Sequence, residues 1–119
     1  MIKLVCGCPR AGKTEYCKRF SNVLHLDDYG RLPGNYKRLL GNVSNGDIVI
    51  DGIFNTAESR KALLNAYKGH GKRTCIWLDT PRDVMESRWT IVKPKERHFY
   101  FEPPTYAEGW DEIDIIRDA

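Results

Sequence analysis

Residues 7–14 read Gly7-Cys8-Pro9-Arg10-Ala11-Gly12-Lys13-Thr14, a turn bounded by glycines that closes on a lysine and a hydroxyl. The spacing fits G-x-x-x-x-G-K-[ST], the phosphate-binding P-loop. In such a turn successive backbone N–H groups surround a phosphate, and the start of the following helix adds partial positive charge. Gly7, Cys8, Pro9, Arg10, Ala11, Gly12, Lys13 and Thr14 are therefore the expected nucleotide-binding set. Lys13 would reach the β/γ-phosphates and the Thr14 hydroxyl would ligate Mg²⁺. The plain alternative is a glycine-rich turn between a strand and a helix.

Phosphoryl transfer needs little else: a metal, a base or orienting group for the nucleophile, and positive charge on the transferring group. Asp51 closes the run Ile48-Val49-Ile50-Asp51, and a carboxylate at a strand end beside the phosphate loop can hold Mg²⁺ through water. The same aspartate would also suit a turn or a helix cap. Asp27 and Asp28 follow another apolar run, and one of them can accept a proton from an acceptor hydroxyl; a polar turn is the alternative. Tyr29-Gly30-Arg31-Leu32-Pro33-Gly34-Asn35-Tyr36-Lys37-Arg38 interleaves basic and aromatic residues. That composition suits base stacking and phosphate contact, or equally a solvated helix with its tyrosines turned inward. Arg82, Arg88, Lys93, Lys95 and Arg97 lie where kinases carry a lid that brings cations to the transition state.

The elements that must place these groups alternate between apolar runs and helical patterns, which predicts an α/β fold with a parallel sheet sandwiched by helices. Five strands are expected, at Ile2–Cys6, Val23–Leu26, Asp47–Asp51, Arg73–Asp79 and Glu112–Ile116. Helices are expected at Lys13–Phe20, about Asn35–Asn42, and Ala57–Lys68 with Thr56 as cap. A further helix opens at Thr80-Pro81-Arg82-Asp83, where Thr80 supplies a cap hydroxyl and Pro81 the first helical position. Pro103 and Pro104 fall in a loop.

The 119 residues predict one domain, 1–119. No apolar stretch approaches the roughly 18 residues that span a bilayer, and the N-terminus lacks a signal peptide's long apolar region, so a cytoplasmic protein without membrane association is expected. Cys6, Cys8, Cys17 and Cys75 have no partner pair at zinc spacing and read as reduced structural thiols. His25, His70 and His98 stand apart and read as surface or strand-end residues. The net charge of +3 is uneven: residues 1–98 hold 18 Lys/Arg against 10 Asp/Glu, and residues 99–119 hold 1 against 6. The basic body is compatible with a polyanionic substrate in addition to ATP, or with an ordinary solvated surface.

With these residues in view, nearly the whole chain resembles the kinase domain of polynucleotide 5′-hydroxyl kinases. The similarity runs through Gly7-Cys8-Pro9 to Gly12-Lys13-Thr14, Leu26-Asp27-Asp28-Tyr29, Val49-Ile50-Asp51, Ala57-Glu58-Ser59-Arg60 and Leu78-Asp79-Thr80-Pro81 to Arg88. Its most diagnostic piece is Phe101-Glu102-Pro103-Pro104-Thr105 followed by Glu108-Gly109-Trp110-Asp111-Glu112-Ile113. The resemblance implies a P-loop NTPase fold, with ATP and Mg²⁺ as cofactors. It also implies phosphoryl transfer to the 5′-hydroxyl of single-stranded or end-exposed nucleic acid. Asp27 would be the base, and Asp27, Arg31 and Asn55 would contact the acceptor. Arg88 would serve the nucleotide and the transition state, bordering the adenine with the Glu102–Thr105 loop. Two departures stand out. Gly52-Ile53-Phe54 is apolar where the family has small polar residues. The 12 residues from Trp89 to Tyr100 make a lid about half the family's length, leaving Arg88 or Arg97 to replace its arginine. A kinase for a nucleoside or metabolite, and a nucleotide-binding module with little catalysis, are the alternatives.

Overall fold

The computed structural model describes residues 1–30, 36–41 and 47–117. Five strands, β1 (Ile2–Cys6), β2 (Val23–His25), β3 (Ile48–Asp51), β4 (Arg73–Leu78) and β5 (Glu112–Ile116), form one sheet in the order β2-β3-β1-β4-β5. Every pairing is parallel. The helices are α1 (Lys13–Cys17), α2 (Tyr36–Gly41), α3 (Ala57–Ala66) and α4 (Arg82–Ser87). All five strands lie where the apolar runs predict them, within a residue at each end. None of the described helices is long and apolar enough to cross a membrane.

Side chains on successive strand positions point to opposite faces, and the core divides accordingly. Ile2, Leu4, Cys6, Ile48, Ile50 and Cys75 pack on one face with Tyr36 and Leu39 of α2 and Leu63 and Leu64 of α3. Val5, Val49, Ile76 and Leu78 pack on the other with Cys17 of α1 and Met85 of α4. Strands buried on both sides need continuous rather than alternating apolar runs, which is how β1 and β3 read. Because α1 and α3 follow adjacent strands yet cover opposite faces, the chain parts above β1 and β3. In open parallel sheets that parting, at the carboxyl ends of the strands, is where ligands bind.

Two helices depart from expectation. α1 stops at Cys17 rather than Phe20; Lys18 caps it, and Asn22 takes a left-handed turn at φ 58° before β2. At α4 the Thr80 hydroxyl caps nothing. It donates to Ala11 O at 2.6 Å, tying the start of α4 to the glycine loop instead. At α3 the expected cap holds, with the Thr56 hydroxyl accepting from Ser59 N at 3.1 Å.

The segment after α4 is fastened by an ion pair the sequence does not announce. Arg60 on α3 is fully buried and donates from Nε to Glu108 Oε1, from Nη1 to Phe54 O and from Nη2 to Glu102 O and Glu108 Oε2. Glu108 also accepts from Trp110 Nε1 and Thr105 N, both at 3.1 Å. Burial alone would push the Glu108 carboxyl up, but the hydrogen bonds from Arg60 and Trp110 and the Arg60 charge hold it below its usual range.

Candidate functional site

The turn from β1 to α1 lies over the parting of the sheet. Gly12 sits at φ 102° and Arg10 at φ 69°, left-handed conformations that reverse the chain within six residues. Gly7 is required by space: a Cβ there would lie 3.0 Å from Leu78 O and 3.1 Å from the Ala11 Cβ. The carbonyls of the turn are engaged by side chains and backbone. Lys13 Nζ donates to Gly7 O and Cys8 O at 2.9 and 3.0 Å, Arg88 Nη1 to Arg10 O at 2.8 Å, and Thr80 to Ala11 O. Gly7 N is taken by Ile53 O and Ala11 N by Cys8 O. Among the described residues the N–H groups of Gly12, Lys13 and Thr14 have no protein acceptor. Oriented donors without partners form a nest suited to an anion.

Beside this turn opens a cleft of about 990 Å³ whose walls include Lys13, Thr14, His25, Asp27, Asp28, Asp51 and Arg88. Parallel pairing sets Val5 opposite Asp51 and His25 opposite Asp51, so three strand ends converge on it. Asp27 and Asp28 are exposed on a 3₁₀ turn that extends β2. Burial lowers the pKa of Lys13, and the nearby charges of Asp51 and Asp27 oppose that shift. Arg88, the C-cap of α4, reaches the loop: its Nη1 lies 3.4 Å from where a Gly12 Cβ would stand.

The cleft thus gathers Lys13, Thr14, Asp51, Asp27 and Arg88, which are far apart in sequence, together with Pro9, Arg10 and Gly12. Cys8 and Ala11 are buried and form no part of its walls; burial raises the Cys8 thiol despite Lys13. Asn55 does not line the cleft. It borders a side cavity of about 540 Å³ that meets the cleft at Pro9 and Ile53, and its Nδ2 donates to Tyr100 O at 3.4 Å. Arg97 faces that same side cavity, so of the two lid candidates only Arg88 adjoins the phosphate loop. The Glu102–Thr105 loop borders neither: Glu102 accepts from Ala57 N at 2.8 Å, and the loop packs on α3 rather than beside the cleft. Arg31 lies outside the described residues.

The short segment after α4 is largely exposed, Ile91 and Val92 included, and is tied down by side-chain contacts near its ends. Arg82 forms a two-pronged ion pair with Glu96 and covers the Phe99 ring at 4.3 Å. The Trp89 ring lies tilted against His98, centroids 4.7 Å apart, and 5.2 Å from the Arg10 guanidinium.

Sequence reasoning missed His25, Tyr16, Arg19 and Trp89 as cleft residues. His25 alone left a signal: it ends a strand two residues before Asp27. Its engagement with Asp51, Nδ1 to Oδ2 at 2.8 Å, depends on β2 and β3 being neighbours.

Thr14 and Asp51 supply oxygen donors, the ligand type Mg²⁺ prefers when it keeps most of its waters. The Thr14 side chain makes no hydrogen bond among the described residues. The donor set therefore fits a divalent cation that keeps most of its waters, although no cluster of three or more His, Cys, Asp or Glu stands ready to hold a bare ion among the described residues. No protein-family model matches the chain, and a search of curated proteins returns no match.

Proposed function

We propose that this chain has a P-loop NTPase fold and is an ATP- and Mg²⁺-dependent kinase, with the 5′-hydroxyl of a polynucleotide as acceptor. The observation that carries the reading is the convergence of Lys13, Thr14, Asp51, Asp27 and Arg88 on one cleft at the carboxyl edge of the sheet. Each has a part in phosphoryl transfer. Lys13 and the unpaired N–H groups hold phosphate oxygens. Thr14 and Asp51 would hold a hydrated Mg²⁺, whose charge would offset that of the phosphates. Asp27 takes the proton of the attacking hydroxyl, and Arg88 faces the charge that spreads over the transferring group. The nucleic-acid part of the reading rests on the resemblance of the residues around Asp27 and of the Phe101–Ile113 string, and on the basic body of the chain.

A free nucleoside or small alcohol is the second reading. The shortness of the segment after α4 and the 540 Å³ side cavity beside the cleft favour it, since that volume suits a nucleoside-sized group. The test is transfer of labelled γ-phosphate to a panel of 5′-hydroxyl DNA, RNA and free nucleosides. Labelled oligonucleotides support the first reading and labelled nucleosides alone the second. No labelled product from a chain that binds ATP leaves only a binding module. Asp27→Asn should cut transfer by about 10² or more while sparing ATP affinity.

A further inference from the structure

We infer that His25 is a positioning residue that fixes the Asp51 carboxylate for a divalent cation, an inference that rests on the reading of Asp51 as a metal-holding group. Three observations lead to it. First, Asp51 is buried, its side chain 8% exposed, and among the described residues its one ion-pair partner is His25, which carries charge only when protonated. Lys13, the nearest candidate, spends its ammonium on Gly7 O and Cys8 O. A largely buried carboxylate that shares a distant ammonium and holds one hydrogen bond is costly to keep charged, and a cation bound in the cleft would offset that cost.

Second, the only hydrogen bond to the Asp51 carboxylate among the described residues is from His25 Nδ1 to Oδ2, at 2.8 Å. Among the described residues Oδ1 has no hydrogen-bond partner in a residue that lines the cleft, and neither has the Thr14 hydroxyl. Third, the bond is set by the sheet. His25 and Asp51 are register partners on parallel strands, so the imidazole is held against the carboxylate by the backbone and not by a mobile loop. One oxygen locked by a neighbouring donor and the other open is how a ligating carboxylate is oriented by its surroundings. The competing explanation is that the bond only pins the three-residue strand β2 to β3.

The test uses the full chain with ADP and Mn²⁺ as the probe, bound metal being read from loss of the free Mn²⁺ paramagnetic resonance signal. ADP affinity without metal and the thermal midpoint are measured alongside. His25→Ala should weaken Mn²⁺ binding about 10-fold or more and leave metal-free ADP affinity unchanged. His25→Asn, whose amide nitrogen can donate from near the Nδ1 position, should restore most of the loss. Unchanged Mn²⁺ affinity in His25→Ala overturns the inference. So does equal impairment of both variants, which would make the imidazole itself the ligand. A loss of Mn²⁺ binding that merely tracks a loss of ADP affinity and of fold overturns it too, in favour of the strand-pinning role. A wild-type chain that binds no Mn²⁺ with ADP removes the metal role of Asp51 and this inference together. His25-dependent Mn²⁺ binding in a chain that transfers no phosphate removes the kinase reading and leaves this one standing.

Discussion

Replacing Arg60 by leucine should cost this fold more than any change in the cleft. The guanidinium is fully buried, makes four hydrogen bonds, and sits opposite a Glu108 side chain that is 1% exposed. Leucine fills part of the space but leaves a carboxylate sealed away from water with only Trp110 and Thr105 as donors. Removing one partner of a buried pair costs about 3–5 kcal/mol, most of it from the stranded charge rather than from the lost bonds. Against a net stability of about 5–15 kcal/mol for a domain, that is a large fraction. With an unfolding entropy near 2.1 cal/mol/K per residue, it corresponds to a fall of roughly 15 °C in the midpoint. The assay is urea and thermal denaturation of the wild type, Arg60→Leu, and the double variant Arg60→Leu/Glu108→Gln. Glutamine keeps an oxygen for Trp110 or Thr105 and carries no charge, so the double variant should recover a large part of the loss. A double variant no more stable than Arg60→Leu would refute the argument that the stranded carboxylate dominates.

Three further outcomes follow from the same structure. Lys13→Ala should weaken ATP binding by 10-fold or more in a calorimetric titration, since a charge-assisted phosphate contact of about 1.5–3 kcal/mol is lost; unchanged affinity would contradict the assigned role of the loop. Glu108 has a folded pKa held below its ordinary value of about 4.5, so its pair stabilises the fold above that value and the contribution fades as pH falls through the lower folded one. The gap in thermal midpoint between wild type and Glu108→Gln should therefore be constant from pH 7 to 5 and shrink below pH 4, and a gap independent of pH would count against the pairing. All four cysteines are buried, and burial pushes Cys17 up to about 12, so an aromatic disulfide reagent should titrate none of them in the native protein and all four in denaturant; a fast-reacting native thiol would contradict the packing around the loop.

Much of the architecture was legible in the chain because central parallel strands, covered on both faces, need nearly continuous apolar runs, as β1 and β3 show, while the edge strands β2 and β5 stand out as shorter or mixed apolar stretches between helical patterns. The turn at residues 7–14 was legible for a local reason. Its glycines answer to left-handed φ at Gly12 and to the 3.0 Å approach of Leu78 O at Gly7, constraints that recur wherever a strand passes tightly into a helix. Strand order was not legible. Whether β2 lies beside β3, and β3 beside β1, is decided by how whole layers pack, and those pairings bring His25 to Asp51 and both to the cleft that Lys13 lines. Arg60 and Glu108, 48 residues apart, stand in the sequence only as members of the strings that carry the resemblance, and nothing local marks them as a pair, because a charge is buried only where a distant segment folds over it. The string from Phe101 to Ile113, which carries the resemblance, proves to lie against that pair and outside the cleft. Local sterics and hydrophobic pattern thus wrote the elements and the loop into the sequence. The neighbours of each strand end, and hence the donors that meet in the cleft, were set only when the sheet closed on its helices, since those contacts depend on distances across the fold that no local segment encodes.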